Sequence, residues 1–244
     1  MEEARGFIGL IFWLLITGAC SSSFQFLNNC TYPVWVGTLS GAGSPSLAQT
    51  GFELQPGQST SLAAPPAWSG RFWARTNCST NPVTGKYSCT TADCSTGKVS
   101  CDGSGATPPA TLIEITLGTN GGKDFYDISL VDGFNVPASM APMGGKGDCK
   151  VTSCPTDVNE VCPEELRVAE GDGTGVVACK SACEAFGDPR YCCTGTYGGP
   201  NTCKPTNYSK VFKGACPLAY SYAYDDATST FTCAGASYVV TFCP

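Results

Sequence analysis

TLIEITL at residues 111–117 and FYDISLV at residues 125–131 decide the fold class. Both stretches are short and rich in β-branched and aromatic residues. The segment between them, GTNGGKD, is made of turn formers. In the first stretch, strand alternation puts Ile113 and Ile115 on one face and Leu112, Glu114 and Thr116 on the other. Similar runs occur at residues 33–38 (PVWVGT), 70–76 (GRFWART) and 238–242 (YVVTF), each bounded by Gly, Pro or Asn nearby. This pattern predicts a mainly β protein, a sandwich or barrel. Helical periodicity is scarce, and the best case is the brief run at residues 182–186.

The wider composition narrows the class. The chain has 244 residues, 17 of them cysteine and none histidine. That cysteine load points to an oxidising compartment. The lack of histidine excludes Ser-His and Cys-His catalysis and zinc sites that need imidazole, and no metal or cofactor is expected. The net charge of −6 argues against nucleic acid and anionic membrane as partners.

Residues 7–19 (FIGLIFWLLITGA) form an apolar run too short to span a bilayer and suited to a signal-peptide core. Small residues follow, so residues 1–22 read as a signal peptide. Its removal would take Cys20 and leave 16 cysteines, an even number. No later stretch approaches bilayer length, so no transmembrane anchor is expected. From Cys149 onward apolar residues thin out and cysteines crowd together. The expected organisation is therefore a β-sandwich core over residues 23–148, a disulfide-rich lobe over residues 149–216, and C-terminal strands over residues 217–244 that return to the core.

The order of motifs resembles the thaumatin-like proteins, the pathogenesis-related family 5 of plants, in its large sixteen-cysteine form. The resemblance runs through FQFLNNCTYPVWVG at residues 24–37, GRFWARTNC at 70–78, GKYSCTTADC at 85–94, PPATLIEITL at 108–117 and DFYDISLVDGFNVP at 124–137. It continues through YCC at residues 191–193, PTNYSKVFKGACPLAYSYAYDD at 205–226 and a terminal VTFCP. Tyr87 departs from the usual Gly or Phe inside the family signature, and the loop after Cys78 is longer than usual.

The resemblance implies a thaumatin-like β-sandwich or flattened barrel with an inserted disulfide-rich lobe. It also implies eight bridges: Cys30–Cys243, Cys78–Cys89, Cys94–Cys101, Cys149–Cys233, Cys154–Cys216, Cys162–Cys179, Cys183–Cys192 and Cys193–Cys203. It further implies an acidic cleft bordered by the lobe, lined by Arg71, Glu114, Asp127, Asp132 and Asp225. Such a cleft would bind β-1,3-glucan of fungal cell walls. In a slow endo-β-1,3-glucanase, Glu114 would act as acid and Asp132 as base or nucleophile, because glycosidic hydrolysis needs a pair of carboxyl groups.

Each residue also has a plainer reading. Glu114 could simply face solvent, and Asp132-Gly133 could be an ordinary turn. Arg71 could be a structural ion-pair partner. Asp127 and Asp132 are five residues apart, so they can share a cleft only if the strand ends or bulges between them. Phe125, Phe134 and Phe212 read as core, whereas Tyr208, Tyr220, Tyr222 and Tyr224 are better placed for surface contact. Of three sequons, at Asn29, Asn77 and Asn207, only Asn207 lacks a neighbouring cysteine and is the credible glycosylation site.

The resemblance thus implies a secreted, apoplastic, monomeric defence protein with antifungal action. A lectin-like binder without turnover, a membrane-permeabilising protein and an inhibitor of a foreign hydrolase stay open as other classes. The acidic charge gives no ground for the basic surface on which sweet taste depends.

Overall fold

The computed structural model describes residues 22–171, 173 and 175–244. The signal-peptide reading, with Cys20, falls outside the described residues apart from Ser22. Thirteen strands are present among the described residues. They are β1 (Ser23–Asn28), β2 (Val34–Ser40), β3 (Gly51–Leu54), β4 (Ser59–Ala63), β5 (Ser69–Thr80), β6 (Tyr87–Thr91) and β7 (Leu112–Thr116). There follow β8 (Asp124–Ser129), β9 (Ala138–Lys146), β10 (Thr152–Cys154), β11 (Arg167–Ala169), β12 (Val176–Cys179) and β13 (Phe231–Phe242).

Eleven strands join one sheet in the order β10-β9-β13-β8-β7-β5-β2-β3, with β1, β4 and β6 attached to its members. β13 turns the corner that nearly closes it. Phe231–Cys233 pair with β8, whereas Ala236–Phe242 pair with β9 on one side and, from Tyr238, with β1 on the other. The parallel β1–β13 pairing brings the two ends of the described chain together, where Cys30 bonds Cys243.

Inward-facing residues alternate as the sequence requires. Phe24, Phe26, Phe72, Ile113, Ile128, Tyr238, Val240 and Phe242 are all fully buried. Aromatic rings make the centre: Phe24 meets Phe72 with centroids 4.8 Å apart, and Trp68 stacks on Phe72 at 5.3 Å. A second, smaller cluster lies on the outer face of β5, where Trp73 packs with Ala92, Cys94, Cys101, Ala110 and Leu112. Trp73 donates to the Ala92 carbonyl at 3.0 Å, so the loop that closes on Cys94–Cys101 covers this strip of the sheet.

Between β10 and β13 the chain carries short pieces: the β11–β12 pair, three 3-10 turns, and four helices. The helices are α1 (Ala182–Phe186), α2 (Pro189–Cys192), α3 (Asn207–Ala215) and α4 (Asp226–Ser229). The short run at residues 182–186 is a helix as the sequence predicts. Its Ser181 caps the Glu184 amide and Gly187 ends it in the left-handed region. α3 was not predicted. Its signal is a capping box in which Thr206 and Ser209 each bond the other's backbone amide. The eight disulfides are Cys30–Cys243, Cys78–Cys89, Cys94–Cys101, Cys149–Cys233, Cys154–Cys216, Cys162–Cys179, Cys183–Cys192 and Cys193–Cys203. Five of these involve the chain from Cys149 to Cys216, where the apolar core is thin.

Candidate functional site

Three neighbouring strands put a row of charges on the outer face of the sheet. Arg71 on β5 lies opposite Glu114 on β7, and Glu114 lies opposite Asp127 on β8. Directly opposed residues have Cβ atoms only about 4.5–5.5 Å apart. Two carboxyl groups at that spacing repel when both are ionised, and Arg71 lies beside only one of them. Burial and the adjacent Glu114 and Asp226 push the Asp127 carboxyl up to about 8. Asp127 Oδ2 is buried without a hydrogen-bond partner. Glu114 is also raised, chiefly by burial, against the pull of Arg71 and with a push from Asp132.

Two hollows meet at this row. One, of about 350 Å³, is lined by Asp132, Tyr220, Ala223 and Asp226 as well as the row itself. The other, of about 450 Å³, runs toward Leu39, Ser69, Thr116 and Phe125. Together they form an open groove that follows β7, with the charged row at its middle.

Asp132 reaches the groove because β8 ends at Ser129 and a turn follows. Gly133 donates to the Leu130 carbonyl at 3.0 Å and has φ +86°. A side chain there would also meet the Cys179 carbonyl oxygen at 2.6 Å, so glycine is required on both counts. The strand end thus resolves the five-residue spacing between Asp127 and Asp132. The opposite lip is the segment from Ala219 to Ser229. It is stitched to β8 by Tyr220 N–H to Ile128 O at 2.8 Å and Leu130 N–H to Tyr220 O at 2.9 Å.

Of the pair at residues 225 and 226, the structure places Asp226 in the groove, and Asp225 is not among its lining residues. Asp225 instead bonds Lys213 on α3 at 2.9 Å and accepts from the Ser221 amide and hydroxyl. Asp226 accepts from the Tyr220 hydroxyl at 3.0 Å. Sequence reasoning took the first of two adjacent acids. The available signal was Lys213, a cation near the end of a capped helix with a carboxylate to satisfy.

Glu184 on α1 lines neither hollow but lies within reach of the charge on Asp132. Burial and Asp132 raise it to about 7, with Lys180 opposing. Phe134 and Phe212 are core, as expected. Phe125 is not: it is 51% exposed and lines the groove, because β8 alternates and sends Phe125 outward with Asp127 while Tyr126 and Ile128 point in. Asn207 is exposed at the start of α3. No cluster of potential metal ligands occurs among the described residues.

The family model for the Thaumatin family matches residues 28–244. The chain belongs to the thaumatin family. Thaumatin-like protein 1 of Prunus persica is 58% identical over 247 residues, covering 100% of both chains. A Prunus avium relative, named glucan endo-1,3-beta-glucosidase, is 57% identical over 228 residues, with 93% of this chain and 92% of that one covered. Among solved structures, a laminaripentaose-producing β-1,3-glucanase in complex with laminaritetraose aligns with TM-score 0.58 at 12% identity, covering 91% of this chain and 98% of the other. At that identity the likeness is one of fold. The thaumatin fold is thus built here with eight disulfides, and no helix among the described residues is long and apolar enough to cross a membrane.

Proposed function

We propose that this thaumatin-like protein is a secreted defence protein that binds β-1,3-glucan in the groove along β7. The observation that carries the reading is the Arg71–Glu114–Asp127 row, with Asp132 and Asp226 in the same hollow. A protonated Asp127 offers a donor, ionised carboxylates offer acceptors, and Arg71 offers further donors. Sugar hydroxyls can satisfy all of these. Phe125 supplies an exposed apolar face at one end of the groove for a sugar ring. The relative named glucan endo-1,3-beta-glucosidase supports the polymer chosen.

Slow endo-hydrolysis is a second reading, favoured by one observation. Asp127, raised to about 8, stays protonated in mildly acidic surroundings, with the further carboxyl groups of Glu114 and Asp132 in the same hollow. A carboxylic acid held protonated beside a second carboxyl group is what acid–base glycosidic cleavage uses. The donor role first expected of Glu114 is therefore better assigned to Asp127, with Glu114 and Asp132 as the candidate bases. Protein bound to insoluble linear β-1,3-glucan and reducing ends released are measured in one tube, for the native protein, Glu114→Gln and Asp127→Asn. Turnover that disappears in either variant supports catalysis. Binding with no turnover in any of them leaves a lectin-like module, and absence of binding in the native protein removes the proposal.

A further inference from the structure

A second groove lies on the other side of the covered strip of the sheet. The outer face of β5 presents Arg71, Trp73 and Arg75 in turn. Trp73 and Arg75 are fully buried beneath the segment around Ala92 and Val99, the latter bonded by Arg75 at 2.6 Å. Arg71 lies in the acidic groove at one end of this strip. At the other end, past Arg75, a hollow of about 490 Å³ opens between β2, β12 and the 3-10 turn Val158–Val161. The two sites share no lining residue.

The walls have a definite chemistry. Trp35 is half-buried, held on the outer face of β2 between the fully buried Val34 and Val36. Tyr32 is 41% exposed beside it. Pro137 and Val177 add aliphatic surface, and Asp157 and Asn159 add acceptors. Asp157 uses Oδ1 to cap the Asn159 amide at 3.0 Å. Asn159 Oδ1 is buried with no partner, and an unpaired buried acceptor costs roughly 1–3 kcal/mol. Among the lining residues no Lys or Arg occurs, and Asp157 disfavours anions. The volume lies within the roughly 300–1,000 Å³ of small-ligand sites.

We propose that this groove is a separate binding site for a neutral saccharide end, with Trp35 as the ring platform, Asp157 accepting from its hydroxyls, and Asn159 turning its buried Oδ1 outward to accept from another. A pyranose has an apolar face for Trp35 and O–H groups for both acceptors. A quaternary ammonium could stack on Trp35, but it has no hydrogen to give Asn159 Oδ1. The proposal does not depend on glucan binding in the acidic groove.

Tryptophan emission reads this site selectively. Trp68 and Trp73 are fully buried, and Trp13 lies in the segment expected to be removed. The oxidised mature protein is titrated with laminaribiose, cellobiose and diacetylchitobiose, and separately with tetramethylammonium. At least one disaccharide is expected to change the emission saturably, with Kd on the order of 1 mM. Asn159→Ala should raise that Kd at least fivefold. Arg71→Ala should leave it unchanged. Trp35→Phe should abolish the signal without lowering Tm. No saturable change with any disaccharide, saturation by tetramethylammonium alone, or a Kd indifferent to Asn159→Ala would each overturn the assignment.

Discussion

Lys213 Nζ lies 2.9 Å from Asp225 Oδ2, and this ion pair anchors the lip of the acidic groove. The same ammonium bonds the Ala219 carbonyl at 3.0 Å and the Ser229 hydroxyl at 2.9 Å, so one cation holds both ends of the segment that carries Tyr220 and Asp226. The two side chains are 25% and 13% exposed, between a surface and a buried pair. Lys213→Met should therefore cost roughly 1–3 kcal/mol, because it leaves a largely desolvated carboxylate unpaired. The check is Tm, together with glucan affinity, which should fall as the lip loosens.

Asp127 makes stability depend on pH. Its folded value of about 8 lies above the 3.8 of an ordinary aspartate, so between those limits the native state holds a proton that the unfolded chain has released. Stability therefore falls as pH rises through that window. Asp127→Asn should flatten the dependence, so that its stability relative to the native protein is more favourable at pH 8 than at pH 5. Denaturant unfolding of both proteins at the two pH values decides it, and an unchanged slope would refute the raised value.

Gly37 is a packing constraint set by Trp73. A Cβ at residue 37 would stand 2.3 Å from the Trp73 indole. Trp73 is itself pinned through its Nε1–H, so it cannot swing aside without losing that bond. Gly37→Ala should cost on the order of 1–3 kcal/mol and alter the near-UV circular dichroism of the indoles.

The Cys30–Cys243 bridge spans 213 residues. Replacing both cysteines with alanine should lower stability by roughly 2–5 kcal/mol, read as a drop in denaturant midpoint. The β1–β13 pairing should survive, since its core residues Phe24, Phe26, Tyr238 and Val240 remain buried.

Much of this was legible from local pattern. The alternation in TLIEITL put Glu114 on the face opposite Ile113 and Ile115, and the Asp132-Gly133 turn marked the strand end that lets Asp127 and Asp132 share a hollow. The family resemblance implied the pairs that close the structure. Where the reading failed, the cause was long-range. Nothing local distinguishes Asp225 from Asp226; a lysine on a distant helix selects between them. Phe125 read as core because it is large and apolar, yet the phase of its strand sends it outward. Glu184 feels Asp132 because the Phe134–Cys179 backbone pairing brings α1 near the turn at Asp132. Asp127 is raised first by burial and then by Glu114, opposed to it by strand register, and sequence spacing fixes neither.

The central claim is that the charged row along β7 holds β-1,3-glucan. Calorimetric titration of the oxidised mature protein with a soluble linear β-1,3-glucan hexamer tests it most directly. The account predicts saturable binding, weakened at least tenfold by Arg71→Ala and by Asp226→Lys. Equal affinity in the native and groove variants, or no heat of binding in the native protein, would contradict it.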